Sequence, residues 1–231
     1  MAKQGKKYIN AQKQVESGKL YTIADAVKLL HKIKYTKFDE TVTVSFNLGI
    51  DTKLADQQIR GAMVLPHGTG KSVKVLAVTT KVDEAKKAGA DFVGGKEMID
   101  KIKAENWLGY DVIVATPDMM PELSKLGKIL GPKGLMPNPK TGTVNADIAK
   151  AVNELKAGKV EYRADKEGNI AVIAGKTSFD AKKLDENVNA ICNQIIKAKP
   201  ASVKGVYLKN CVLTSTMAPG IKLKLAVEEV K

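Results

Sequence analysis

Thr41-Val42-Thr43-Val44-Ser45-Phe46-Asn47-Leu48 alternates polar and apolar residues without a break, which predicts a strand with one buried and one polar face. Ahead of it, Ala26, Val27, Leu30 and Ile33 recur at helical spacing, and Thr22 with Asp25 three residues on is a weak capping-box start. Residues 59–65 are a second strand candidate, and Pro66-His67-Gly68-Thr69-Gly70 then breaks the chain. Beyond the break the pattern changes. Residues 73–78 form a nearly continuous apolar strand, followed by shorter strands at 90–93 and 112–115. Helical patterns at 82–88, 96–103, 119–130 and 145–157 are interleaved with them, the last ended by Gly158. Short apolar strands alternating with helices indicate a parallel sheet covered on both faces. Past Gly158 the alternation returns. Residues 160–163 and 169–173 predict a hairpin across Asp165-Lys166-Glu167-Gly168. Residues 180–198 predict an amphipathic helix with Leu184, Val188, Ile191 and Ile195 on one face. Residues 206–213 and 221–227 are the closing strands, joined by residues 214–220.

The outer segments share antiparallel character and the middle is a parallel unit, so the economical fold is α/β with one domain interrupted by another. Residues 1–67 and 160–231 are expected to form a discontinuous α+β domain, its mainly antiparallel sheet built from both terminal segments. Residues 68–159 are expected to form an inserted α/β/α domain. Three consecutive domains would each be too small to bury a comfortable core. The crossings at Pro66, Gly68, Gly70 and Gly158 suit a hinge.

Charge adds a partner class. Lys and Arg total 38 against 25 for Asp and Glu, and a net charge of +13 attracts a polyanion. The surplus is spread, +5 over residues 1–67, +4 over 68–159 and +4 over 160–231, so folded surfaces rather than a basic tail should meet that partner. Apolar residues at 44% indicate a globular chain. Cys192 and Cys211 fit no zinc spacing and no secreted disulfide framework. No stretch approaches the ~18 apolar residues of a membrane span, and the basic Met1-Ala2-Lys3-Gln4-Gly5-Lys6-Lys7 has no apolar run behind it. The expectation is a reduced, cytoplasmic protein with no membrane partner.

His67-Gly68-Thr69-Gly70-Lys71-Ser72 ends like a phosphate loop, but Leu65 stands where the first glycine is needed and a strand, not a helix, follows. Gly68-x-Gly70-x-x-Val73 lacks the third glycine of a dinucleotide fingerprint, and Gly94-Gly95 is most simply a turn. His31, beside Lys32 on a helix, suggests a surface site, and His67 lies in the hinge. Neither has an evident catalytic partner, so no catalytic residue, metal or cofactor is expected. The competing reading is a nucleotide-dependent enzyme using the middle domain.

Three segments suit RNA instead. Thr214-Ser215-Thr216-Met217-Ala218-Pro219-Gly220 offers small hydroxyls for 2′-hydroxyl groups and a methionine to pack on a base or ribose; its bland reading is a β-connection. Lys37-Phe38-Asp39-Glu40-Thr41 puts an aromatic beside a lysine at a strand entrance; a lone Phe is more commonly a core cap. Leu130-Gly131-Pro132-Lys133-Gly134-Leu135-Met136-Pro137-Asn138-Pro139 is stiffened by prolines, and Lys128, Lys133 and Lys140 can offer fixed donors to phosphates; a structural crossover fits it equally well.

With these residues in view the chain resembles the L1 family of large-subunit ribosomal proteins over nearly its full length. Further matching blocks are Leu48-Gly49-Ile50-Asp51, Arg60-Gly61, Leu65-Pro66-His67-Gly68-Thr69-Gly70-Lys71, Gly89-Ala90-Asp91, Ala115-Thr116-Pro117-Asp118 and Gly175-Lys176-Thr177-Ser178-Phe179. The full-length form looks bacterial. The resemblance implies an outer RNA-binding domain and an inserted Rossmann-like domain without a nucleotide. It implies a protein that binds large-subunit ribosomal RNA at the mobile stalk near the transfer-RNA exit site, ribosome-bound in the cytoplasm and a monomer when free. It further implies aid to the release of deacylated exit-site transfer RNA and repression of its own messenger RNA, a role open also to a repressor free of the ribosome. By position it places Lys37, Phe38, Thr41, Lys166, Gly168, Thr216 and Met217 in the RNA surface. Lys128, Lys133 and Lys140 of the proline-glycine loop are expected to be at most a secondary RNA contact. Ala218 belongs to the same surface and departs from the glycine that relatives commonly carry; its methyl is expected to loosen or shift that contact.

Overall fold

The computed structural model describes residues 5–16, 18–79, 81–105 and 107–224. In chain order these form α1 (Lys6–Gln12), α2 (Ile23–Ile33), β1 (Thr41–Leu48) and β2 (Arg60–Val64). Then come β3 (Val75–Val78), α3 (Val82–Lys87), β4 (Phe92–Gly94), α4 (Lys96–Glu105), β5 (Val112–Ala115), α5 (Met120–Ser124), α6 (Gly127–Leu130) and α7 (Ile148–Lys156). The last part holds β6 (Lys159–Arg163), β7 (Asn169–Lys176), α8 (Ala181–Lys197), β8 (Leu208–Ser215) and β9 (Ile221–Lys222). The chain separates into two compact units, residues up to Gly70 together with those from Val160 onward, and Lys71–Lys159.

The outer unit is built on an antiparallel sheet of order β7-β1-β8-β9. The alternation in β1 acts as read: Val42, Val44, Phe46 and Leu48 are buried and the four polar residues between them are not. Ile170, Val172 and Ala174 of β7 and Cys211 and Leu213 of β8 join them on the inner face. Against that face lie Ala26, Val27, Leu30 and Ile33 of α2 and Leu184, Val188, Ile191 and Ile195 of α8, all buried. Replacing one such Leu or Ile by Ala typically costs about 2–5 kcal/mol, because packing atoms are lost and a cavity remains. Thr22 caps α2 reciprocally: its hydroxyl accepts from the Asp25 amide at 3.3 Å and donates to the Asp25 carboxylate at 2.8 Å. The buried thiols of Cys192 and Cys211 belong to this core, where hydrogen bonding to Cys192, together with burial, pushes the Cys211 thiol up.

The inserted unit has three parallel strands in the order β4-β3-β5. β3 is buried throughout because both of its faces are covered. Leu76 and Val78 point into one core with Ile102, Leu123 and Leu130; Val75 and Ala77 point into another with Ala85, Ile148 and Val152. Two covered faces explain why the strand shows no alternation. Asp147 caps α7 by accepting from the Lys150 amide at 3.1 Å. Gly158 follows the helix at φ +97°, a left-handed conformation that favours glycine and turns the chain out of it.

Several expectations are corrected. β6 and β7 do not form a hairpin. The turn between them closes, with Gly168 N–H donating to Asp165 C=O at 3.3 Å, but β6 pairs with β2 in a separate two-stranded sheet while β7 pairs with β1. Each strand finds a distant partner that puts its apolar residues on the common core. The single helix expected at 119–130 is broken into a 3-10 turn, Pro117–Met119, followed by α5 and α6. Pro121 is tolerated only in a first turn, and Leu126 N–H reverts to a tight bond with Leu123 C=O at 2.9 Å before Gly127 restarts the helix. α1 was not anticipated, its apolar content being too low for a periodic signal. The last strand is short, and Val227 lies outside the described residues. His31 is half-buried rather than on the surface; its Nε2 has no partner, and burial with nearby Lys34 holds its pKa down.

The crossing residues Pro66 to Gly68 are tied to α8 within the outer unit. Asn187, fully buried, accepts from the His67 amide at 3.1 Å and donates to the carbonyls of Gly68 at 3.1 Å and Ala174 at 2.8 Å. The neighbouring Glu186 carboxylate meets His67 Nε2 at 2.5 Å. Asn187→Leu keeps the branched outline of the side chain but strands these groups, so it should destabilise the protein by about 2–3 kcal/mol. A urea titration following α8 should show a lower midpoint with an unchanged slope; an unmoved midpoint would mean that the amide is dispensable.

Candidate nucleic-acid interface

β1 runs antiparallel to both neighbours, so its first residues lie beside the last residues of β7 and β8. Thr41 pairs with Lys176, and Val42 with both Gly175 and Ser215. Three connections therefore meet at one end of the sheet: α2 to β1, β7 to α8, and β8 to β9. They are laced together by short side chains. The Thr41 amide donates to Thr216 Oγ1 at 3.2 Å, and Thr216 Oγ1 returns a bond to the Thr41 carbonyl at 3.4 Å. Lys176 Nζ donates to Thr41 Oγ1 at 3.0 Å. Tyr35 O–H donates to the Met217 carbonyl at 2.8 Å, and Thr214 O–H to the Ala218 carbonyl at 3.2 Å.

Two carboxylates set this junction. Glu40 is only 1% exposed, and its oxygens accept from the hydroxyls of Thr36 and Ser215. Its amide donates to Thr177 Oγ1 at 3.1 Å, and its carbonyl accepts from the Thr177 amide at 2.9 Å. Asp39 accepts from the Thr177 hydroxyl at 3.0 Å, the Ser178 amide at 3.0 Å and the Ser178 hydroxyl at 2.9 Å. Burial works against the Asp39 carboxylate, but donation by Ser178 and Thr177, helped by nearby Lys176, holds it below the usual carboxylate range. With its neighbours fixed, Phe38 stands 53% exposed and Met217 47% exposed. Phe38 is thus not a core cap. Lys37 is exposed beside it, and Ala218 is half-buried and packs on the core.

Lys166 and Gly168 lie elsewhere. They sit at the far end of β1, where Gly168 C=O accepts from the Leu48 amide at 2.9 Å and Lys166 C=O from the Thr52 hydroxyl at 2.6 Å. Seven residue steps along β1, from Thr41 to Leu48, separate the two ends by on the order of 20 Å. Gly168 has φ +80°, and an added Cβ would lie 2.9 Å from the Leu48 carbonyl. Asp165 shapes this turn by accepting from the amides of Asn169 at 2.8 Å and Glu167 at 2.9 Å; these bonds outweigh burial and lower its pKa.

The outer face of the sheet joins the two ends. Thr43 lies between Ile173 and Thr214, Ser45 between Ala171 and Val212, and Asn47 between Asn169 and Asn210. Directly opposed residues share a face, so this is a strip of hydroxyls and amides interspersed with apolar Ile173, Ala171 and Val212 and carrying no acid. Lys222 borders it opposite Val212. Such a strip can donate and accept hydrogen bonds with ribose hydroxyls and base edges, while Phe38 and Met217 offer stacking surface. The alternation of β1 marked its own polar residues, but nothing local marked Asn169, Asn210 or Thr214 as their neighbours.

In the inserted unit Lys128, Lys133 and Lys140 are all exposed. Their loop is self-bonded: Asn138 Oδ1 accepts from the Lys140 amide at 2.8 Å, and Thr143 Oγ1 from the Asn138 amide at 2.8 Å. Among the described residues no cluster of His, Cys, Asp and Glu is placed to hold a metal ion, and no helix is long and apolar enough to cross a membrane.

Comparison with known proteins gives a consistent set of relatives. The model of the ribosomal protein L1p/L10e family matches residues 30–219. The large ribosomal subunit protein uL1 of Mycoplasma capricolum subsp. capricolum is 58% identical over 225 residues, 97% of this chain and 100% of that protein. The proteins of the same name from Mesoplasma florum and Mycoplasma mycoides subsp. mycoides are each 57% identical, again over 97% of this chain and their own full length.

The Asp39 clamp has a definite pH signature. A carboxyl held below its unfolded value adds stability above that value and loses it as pH falls through the folded pKa. The titration midpoint read from the Ser178 amide resonance should therefore lie below the ordinary aspartate value of 3.8. A midpoint at or above 3.8 in an NMR titration would show that Asp39 is not clamped.

Proposed function

The chain belongs to the ribosomal protein L1p/L10e family, and from that premise we propose that it is a ribosome-bound component of the cytoplasmic large subunit. In this reading it binds large-subunit ribosomal RNA at the mobile stalk near the transfer-RNA exit site. The family is structural, not enzymatic. The relatives' shared name supports the ribosomal role, and one observation carries the RNA reading: exposed Phe38 and Met217 flank a hydroxyl-laced junction that continues into an acid-free strip.

Phe38 and Met217 pack on bases or riboses opened out of the helix. Thr41, Thr216 and the strip beyond them exchange hydrogen bonds with 2′-hydroxyls, and Lys37 and Lys166 at opposite ends neutralise phosphates. Gly168 keeps the backbone bare at the far end, and the Ala218 methyl loosens or shifts the contact at the near one. The RNA thus spans the sheet rather than touching a single loop. The outer unit is the RNA-binding domain, and the inserted unit is a Rossmann-like domain that takes no nucleotide. Pro66, Gly68, Gly70 and Gly158 serve as the hinge. Lys128, Lys133 and Lys140 supply a secondary RNA contact. The protein, a monomer when free of the ribosome, aids release of deacylated exit-site transfer RNA. It represses its own messenger RNA by binding a similar RNA shape on the same surface.

Thr216→Val should weaken binding to a transcript of the stalk ribosomal RNA by on the order of 1–3 kcal/mol. Unchanged affinity with an intact fold would remove Thr216 from the interface. Affinity of the unaltered protein should fall at least about tenfold between roughly 50 and 200 mM salt, since each neutralised phosphate releases counterions. A flat response in the same filter-binding assay would mean that the net charge of +13 is not used there.

A further inference from the structure

A cleft of about 300 Å³ lies between α1 with the turn after it and the β8–β9 connection. One wall carries Tyr8, Gln12 and Lys19, the other Pro219, Gly220 and Lys222. Apart from Lys222, which borders the strip, none of these residues has a part in the interface described above, yet Pro219 and Gly220 follow directly on Thr216, Met217 and Ala218. α1 is pinned to the outer unit by Ala11, 3% exposed, and by half-buried Val15 packed on the same core.

The lining favours one kind of occupant. Tyr8 is half-buried and Pro219 buried, giving the cleft flat apolar surface. Gln12 is exposed and carries both a donor and an acceptor, as the edge of a nucleobase requires. Glu16, the one acid in the wall, is neutralised by Lys19 at 2.9 Å. Lys222 is exposed. Lys6, Lys7 and Lys13 are exposed on and just after α1, and α1 itself has no acidic residue. The volume is at the low end for small-molecule sites, room for a single planar group and not for a helix. We propose that this cleft seats one unstacked nucleotide of the RNA held at Thr216 and Met217. Its base lies against Tyr8 and pairs edge-on with Gln12, and its phosphate faces Lys222. The proposal rests on the RNA reading of the Thr216–Met217 junction.

The test uses the full chain and the stalk ribosomal RNA transcript. Tyr8→Ala and Gln12→Ala should each weaken binding about fivefold or more, the low end for loss of a stacked base, whereas Tyr8→Phe should bind nearly as the unaltered protein. Chemical probing of the RNA should show one base protected by the unaltered protein and by Thr216→Val at saturation, and reactive with Tyr8→Ala. Gln12 is exposed, so its variant decides the matter even if Tyr8→Ala folds poorly. If Thr216→Val weakens binding while the Tyr8 and Gln12 variants leave affinity and protection unchanged, the cleft holds no nucleotide and the junction reading survives. If all three variants bind like the unaltered protein, both readings fall.

Discussion

β1 is hydrogen-bonded along both edges, to β7 on one side and β8 on the other, and those two ladders place nearly everything in the outer unit. A one-residue slip would turn Val42, Val44, Phe46 and Leu48 outward and bury four polar side chains. The register is therefore held by the core that α2 and α8 complete. The same register sets Thr41 beside Lys176 and Thr216, and Asn47 between Asn169 and Asn210. Core and interface are the two faces of one pairing scheme.

At the near end the scheme is reinforced by Glu40. A carboxylate withdrawn from water costs several kcal/mol unless its oxygens are hydrogen-bonded. Here the hydroxyls of Thr36, in the α2–β1 connection, and Ser215, at the end of β8, meet that need. Asp39 does the same for the β7–α8 connection from the exposed side. Holding three loops by their own side chains leaves Phe38 and Met217 exposed without leaving them unsupported, which suits recognition of RNA by shape and stacking. Lys37 and Lys166 stand at opposite ends of this surface, and Lys176 is bonded into it at Thr41.

The structure divides cleanly into what is written along the chain and what is not. Residues within one element declared themselves: the buried row of β1, the apolar faces of α2 and α8, and the run of β3 all follow from periodicity. The turn at 165–168 was also visible, yet its strands went to different sheets, because the choice of partner depends on which distant strand completes the core. The helix expected at 119–130 is interrupted at Lys125 and Leu126, between α5 and α6, and starts afresh at Met120 with Pro121 in its first turn, so backbone limits outweighed a helical apolar pattern.

The site separates in the same way. The sequence by itself determined the family, the two styles of sheet, and the residue types that suit RNA, with Phe38, Thr216 and Met217 among them. Only the tertiary structure decided that Phe38 stands outside the core, and that Lys166 and Gly168 lie about 20 Å along β1 from the Thr41 junction. It alone made a continuous strip of Thr43, Ser45, Asn47, Asn169, Asn210 and Thr214. The reason is physical: local periodicity fixes which face a side chain takes, whereas its neighbours across a sheet are fixed by hydrogen bonds between segments more than a hundred residues apart.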